Sequence, residues 1–203
     1  MPASSARMTW FHLNGKCPKT MPLLKPGDTV SYTVTHLEMT ARPAAPIPHV
    51  PTGSPLALIA AENPPVEYFL YLYSAVGAEY EWTDWLDATR QEQEAFVGDP
   101  KVELFTLMVD GWPGGFFVLD TRRAGACELA NFGLVPEAMG RGLGAWLLGC
   151  AVHMGWDRAG VTKMTVNTNT LDHPRALALY QRMGFVPVRR EDKRRKLTRA
   201  REV

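Results

Sequence analysis

Cysteine is scarce in this chain of 203 residues: Cys17, Cys127 and Cys150 are widely spaced, with no Cys-x-x-Cys pair and no matching histidine spacing. A disulfide framework is excluded, no metal site is expected, and a reducing cytoplasm suits the protein. The five histidines are scattered too. Long hydrophobic runs are also missing. None reaches the roughly 18 residues of a membrane span, and the N-terminus lacks the apolar core of a secretion signal, so no membrane partner is expected. Nor is there an excess of one charge: 22 Lys and Arg stand against 21 Asp and Glu. Such a balance gives no bulk field that would select a nucleic acid. What remains, 46% apolar and 21% charged residues, is the composition of one globular domain with a proper core and tails.

Residues 1–27 mix Pro, Lys, Ser and Gly without a period and read as a poorly ordered segment. From 29 to 40, TVSYTVTHLEMT alternates as a strand does, and the proline-studded stretch 42–55 must be an extended connector. Leu56–Ala61 reads as a second strand. Pro65 suits the first turn of a helix whose Val66, Phe69, Leu70 and Tyr73 share a face, ending near Gly77. One or two helical pieces follow, from Trp82 to Val97. Tyr68 and its aromatic neighbours on these helices either wall an acceptor pocket or are plain core. Val102–Val109 and Phe116–Thr121 then form strands joined by a Gly-rich hairpin. The last fifteen residues hold eight bases and three acids and read as a basic tail, residues 190–203.

The richest stretch is ELANFGLVPEAMGRGLG, residues 128–144. Its first half reads as a strand closed by Pro136. Its second half packs Gly140, Gly142 and Gly144 ahead of an apolar helical pattern, Leu143, Leu147, Cys150 and Met154. A strand, a glycine turn and a helix start make an anion cradle: the first-turn N–H groups lack intrahelical partners and point along the positive end of the helix dipole. Arg141 adds a cation there. A dinucleotide-binding turn would read G-x-G-x-x-G with an acidic residue after the next strand, and a P-loop would carry Gly-Lys-Ser/Thr; both are absent.

These residues resemble the GCN5-related N-acetyltransferase (GNAT) family, whose acetyl-CoA signature is Gln/Arg-x-x-Gly-x-Gly/Ala. Here it reads Met139-Gly140-Arg141-Gly142-Leu143-Gly144, with Met139 where the family has Gln or Arg. A second stretch, Pro174 to Phe185, resembles the family's closing pattern Asn-x-x-Ala-x-x-Leu-Tyr-x-x-x-Gly-Phe, with His173 at the Asn position. The resemblance covers residues 56–189. It implies an α/β (α+β mixed) fold, in which a mostly antiparallel sheet splays between its fourth and fifth strands and is flanked by helices. The domain would then run over 28–189, with strand 29–40 added at the sheet's N-terminal edge.

The resemblance also implies site residues. Phe132 and Leu134 would contact the thioester and pantetheine through their main chain, Gly133 being consistent with a bulge. Residues 139–144 would hold the pyrophosphate. Glu128, eleven residues before Met139, would be the general base, and period-two geometry puts it on one face with Ala130, Phe132 and Leu134. Tyr180 would be the general acid. Asp172 reads as a helix N-cap and His173 as a pantetheine contact or an alternative base. Asp120 is a candidate for an acceptor ammonium. The implied function is acetyl transfer from acetyl-CoA, as co-substrate, to a primary amine by direct attack in a ternary complex. A small amine or amino-acid derivative is favoured as acceptor, nucleic acid is not, and a homodimer is common in the family. The alternatives are a non-catalytic acyl-CoA-binding module, which Met139 favours, and a protein- or ribosome-directed acetyltransferase working through the basic tail.

Overall fold

The structure, a computed structural model, describes residues 23–202. Most of the segment expected to be poorly ordered, with Cys17, lies outside the described residues. In chain order the elements are β1 (Leu23–Leu24), β2 (Thr29–Met39), β3 (Leu56–Ala61), α1 (Val66–Gly77), α2 (Asp84–Asp87), α3 (Arg90–Val97), β4 (Val102–Val109), β5 (Trp112–Asp120), β6 (Ala126–Leu134), α4 (Leu143–Trp156), β7 (Lys163–Asn169), α5 (Ala176–Met183), β8 (Val186–Lys196) and β9 (Arg201–Glu202). Seven strands make the main sheet in the order β3-β4-β5-β6-β7-β2-β8, and β1 pairs with β9 beside it. Every pair is antiparallel except β6 with β7.

Local signals place most of these elements. Asp110 and Gly111 take positive φ (52° and 90°), so β4 and β5 are joined by a two-residue turn and β5 begins at Trp112, earlier than expected. Thr89 and Glu92 form a capping box that opens α3. Along α4, Leu143, Leu147 and Cys150 are buried as expected, but so are Trp146, Leu148, Ala151 and Val152. A helix apolar nearly all round must be covered on both sides. The sheet covers one side of α4 and the proline-rich connector the other. Arg42 pairs with Asp157 at 2.7 Å, His153 Nε2 lies 3.2 Å from the Ala45 carbonyl, and Pro48 and Ile47 lie against Gly149.

That contact yields a stability prediction. A Cβ at Gly149 would come within 2.4 Å of Pro48 Cδ, an atom of a rigid ring that cannot swing away. Gly149→Leu gains about 1 kcal/mol of helix propensity, and overpacking costs about 1–3 kcal/mol before the connector lifts off. The variant is expected to unfold at lower denaturant than the parent, with β2 still paired in the sheet.

Two long-range features differ from the sequence reading. Strand β2 does not extend the N-terminal edge beside β3; it is inserted between β7 and β8. Its partners are chosen by cross-strand chemistry, with Glu38 pairing Lys163 at 2.7 Å and Thr33 Oγ1 donating to Asp192 at 2.6 Å. The basic stretch, in turn, continues β8 to Lys196. Strand β8 is an edge strand, and arginines and lysines along an edge block pairing with another chain. Arg195 also donates to the Glu81 carbonyl, to Thr83 and to Asp84 Oδ1 at 2.9 Å, while Leu197 is buried and Thr198 donates to Glu81 Oε2. The segment after β8 is therefore fastened to the loop between α1 and α2.

Candidate active site

Strand β6 governs the site. It pairs with β7 only through Ala126, Cys127 and Glu128, whose partners are Lys163, Met164 and Thr165. Beyond that, Leu129–Leu134 pair with β5 alone and Val166–Asn169 with β2 alone, so a gap opens with two facing strand edges outside any ladder. Counting from β3, these are the fourth and fifth strands of the domain, as expected.

A bulge lies at the vertex. Leu119 opposes Leu129 and Val118 opposes Asn131, which leaves Ala130 as the extra residue. The bulge is thus at Ala130 and not at Gly133, and it reverses the alternation. Opposed residues share a face, so Glu128 lies with Asp120, Asn131 and Gly133, on the side where Val76 and Trp82 meet Gly133. Phe132 and Leu134 lie on the other side with Cys127, against α4 and α5. The expected shared face of Glu128, Phe132 and Leu134 is therefore corrected. The base candidate and the edge residues look to opposite sides of the gap.

On the first side Glu128 walls an open cleft of about 410 Å³ together with Asp120, Arg122, Arg123, Ala126 and Thr165, a size suited to a small molecule. Glu128 is exposed to the cleft, yet the protein around it desolvates its carboxylate and raises its pKa above the ordinary value. Asp120 adds to the rise, while Arg122, His36 and Arg123 oppose it. Asp120 itself accepts from the Arg122 guanidinium through both oxygens, at 2.6–3.0 Å. Asn131 Oδ1 is buried on the same face without a partner. Trp82 packs on this same face against Phe116, its Nε1 donating to Asp172 Oδ1 at 3.0 Å.

On the second side Tyr180 is buried between Phe132 and Phe185, with ring centroids 6.1 Å from each, and burial raises its pKa. Past Leu134 the chain turns through Met139 into the glycine run. Gly140 and Gly142 have φ of 76° and 75°, and a Cβ at Gly140 would meet nothing within 4 Å. Gly142 caps α4 without any side-chain hydrogen bond, leaving the first N–H groups open. Leu143 is buried and offers only its backbone. The cradle and the unpaired edge of β6 fit a phosphorylated thiol ester. Arg141 is held at the cradle by pairing with Asp110 at 3.0 Å and donating to Ser54.

Two other expectations change. Asp172 does not cap α5. It accepts from Thr168, Asn169 N and Trp82, tying the α1–α2 loop to the end of β7. His173 Nδ1 accepts from Arg175 N at 3.1 Å just ahead of α5, which has no side-chain cap. Tyr68 is not in the cleft; its hydroxyl bonds Thr106 on β4 at 2.8 Å, two strands from β6. Cys127 is buried, which pushes its thiol up to about 12 and disfavours a thiolate at neutral pH. Arg123, Thr165 and Asn131 escaped the sequence reading. The Arg122-Arg123 pair beside Glu128 was the one visible signal for them.

A sheet opened between two parallel strands, with a glycine-rich helix start past the gap, places the chain among acyltransferases. The acetyltransferase (GNAT) family model matches residues 69–185, more than half of the chain, and the chain belongs to that family. Its fold is that of solved relatives. A GCN5-related N-acetyltransferase from Kribbella flavida is 18% identical with TM-score 0.51, covering 86% of this chain and 59% of its own. A tandem GNAT protein from the clavulanic acid biosynthesis pathway is 18% identical with TM-score 0.55, covering 85% and 55%. An aminoglycoside acetyltransferase from an uncultured soil metagenomic sample is 12% identical with TM-score 0.51, covering 64% and 87%. The chain spans less than two thirds of the length of the first two. No curated protein sequence matches it.

Proposed function

We propose that the protein is an acetyl-CoA-dependent N-acetyltransferase acting on a small primary amine by direct attack in a ternary complex. The observation that carries this reading is the parting of β6 from β7 immediately after Glu128 and Thr165, which sets a carboxylate at the vertex of an open gap. Acetyl-CoA supplies the activated acyl group when bound. Phe132 and Leu134 offer unpaired main-chain groups along the edge of β6, and residues 139–144 offer the open amides of the α4 start to the pyrophosphate, with Arg141 and Asp110 bracing that loop.

Glu128 takes the proton from the acceptor amine, its raised pKa bringing it nearer to a base that works at neutral pH. From the opposite face Tyr180, held protonated by burial, donates to the departing thiolate. His173 is left as a contact for the pantetheine arm. The buried, protonated Cys127 disfavours an acyl-cysteine route. The expected assay result is thiol release from acetyl-CoA that depends on an added primary amine. Tyr180→Phe keeps the packing and removes only the hydroxyl; turnover is expected to fall about 10²-fold. An unchanged rate for that variant would remove Tyr180 from the role.

A further inference from the structure

The cleft beside Glu128 carries a charge pattern of its own. Two acids and two arginines line it, and they do not all pair with one another. Arg122 is paired: its Nε donates to both Asp120 oxygens at 3.0 Å, its Nη2 to Oδ2 at 2.6 Å, and its guanidinium lies 5.0 Å from the Phe96 ring centroid. The two charges of that pair offset each other. Among the described residues, the side chains of Arg123 and Glu128 make no hydrogen bond or ion pair, and both are exposed. One unpaired cation and one unpaired carboxylate thus share a small cleft at the vertex of the gap.

We propose that the acceptor is a primary amine that also bears an acidic group, an amino acid or a compound built like one. Arg123 binds the anion while Glu128 faces the amine. This inference rests on the acetyl-transfer reading above and adds the substrate class to it. An ammonium with one anion matches the cleft group for group. A polyamine or another polycation meets a single free carboxylate and is repelled by Arg123. The planar guanidinium fork takes either a carboxylate or a phosphate through two parallel hydrogen bonds, and Thr165 lines the same cleft. Ala126, with its small side chain, lines the same cleft.

The test uses the full-length protein, acetyl-CoA and thiol release, with amines in matched pairs: the common L-amino acids against their amides, phosphoethanolamine against ethanolamine, and spermidine as the polycation. The expected result is that an acidic member exceeds its neutral partner in kcat/KM by about tenfold or more, the worth of a charge-assisted hydrogen bond. Whether the amino acids or phosphoethanolamine lead decides between carboxylate and phosphate. Arg123→Gln should raise KM for the acidic member by about tenfold and collapse the preference over its neutral partner. Arg123→Lys should restore part of it, while the acetyl-CoA dissociation constant stays put. Preference for spermidine or for the neutral members overturns the proposal, as does an acidic-member KM that ignores Arg123→Gln. Acetyl-CoA that binds with no acidic amine acetylated overturns this proposal alone. A protein that fails to bind acetyl-CoA overturns the acetyl-transfer reading and the substrate class with it.

Discussion

Glu128→Gln is expected to lower kcat by about 10²–10⁴-fold while acetyl-CoA still binds. Glutamine keeps the size and hydrogen-bonding reach of the side chain at the vertex and loses only the capacity to take a proton. The pH profile gives a finer test. Desolvation and then Asp120 raise the Glu128 pKa, against Arg122, His36 and Arg123. The wild-type rate should therefore climb with pH through that raised value, and the variant should lack this limb. Stability has the opposite sign. A carboxyl whose folded pKa lies above its unfolded one destabilises the fold when ionised. The cost is absent below the unfolded pKa, about 4.3, and fully present above the folded one. Glu128→Gln should thus melt no lower than the wild type at pH 7, with the difference fading as pH falls to about 4. A loss of activity under about tenfold would remove Glu128 as the base.

Gly142→Glu is expected to abolish acetyl-CoA binding, a loss of about two orders of magnitude or more. Two effects act together. Gly142 sits at φ 75°, where a side chain costs about 1–2 kcal/mol, and a carboxylate there opposes both the pyrophosphate and the open amides of α4. Gly142→Ala separates them: it bears the strain without the charge and should keep most of the affinity. Equal losses in the two variants would show that loop distortion rather than charge governs the site.

The parts of this protein written in local sequence were legible. Leu56–Ala61 is a strand as read, Val102–Val109 likewise, and the glycine run does open a helix. What escaped is non-local. The alternation of residues 29–40 says strand but not which neighbours, and those are set by partners more than 120 residues away, such as Lys163 and Asp192. The bulge at Ala130 carries no residue signature, since nothing marks one alanine as extra until β5 is laid beside it; the face of Glu128 was misread for that reason. Asp172 has the spacing of a cap, yet its carboxylate is claimed by Trp82, Thr168 and Asn169 N. The terminal bases looked like a tail because a charged edge strand and a solvated tail have the same composition.

The central claim is that the gap between β6 and β7 and the glycine cradle form one acyl-CoA site. Calorimetric titration of acetyl-CoA into the full-length protein tests it most directly. The account predicts a single site of micromolar affinity that disappears in Gly142→Glu and survives in Glu128→Gln. Heats indistinguishable from dilution at millimolar acetyl-CoA would contradict it.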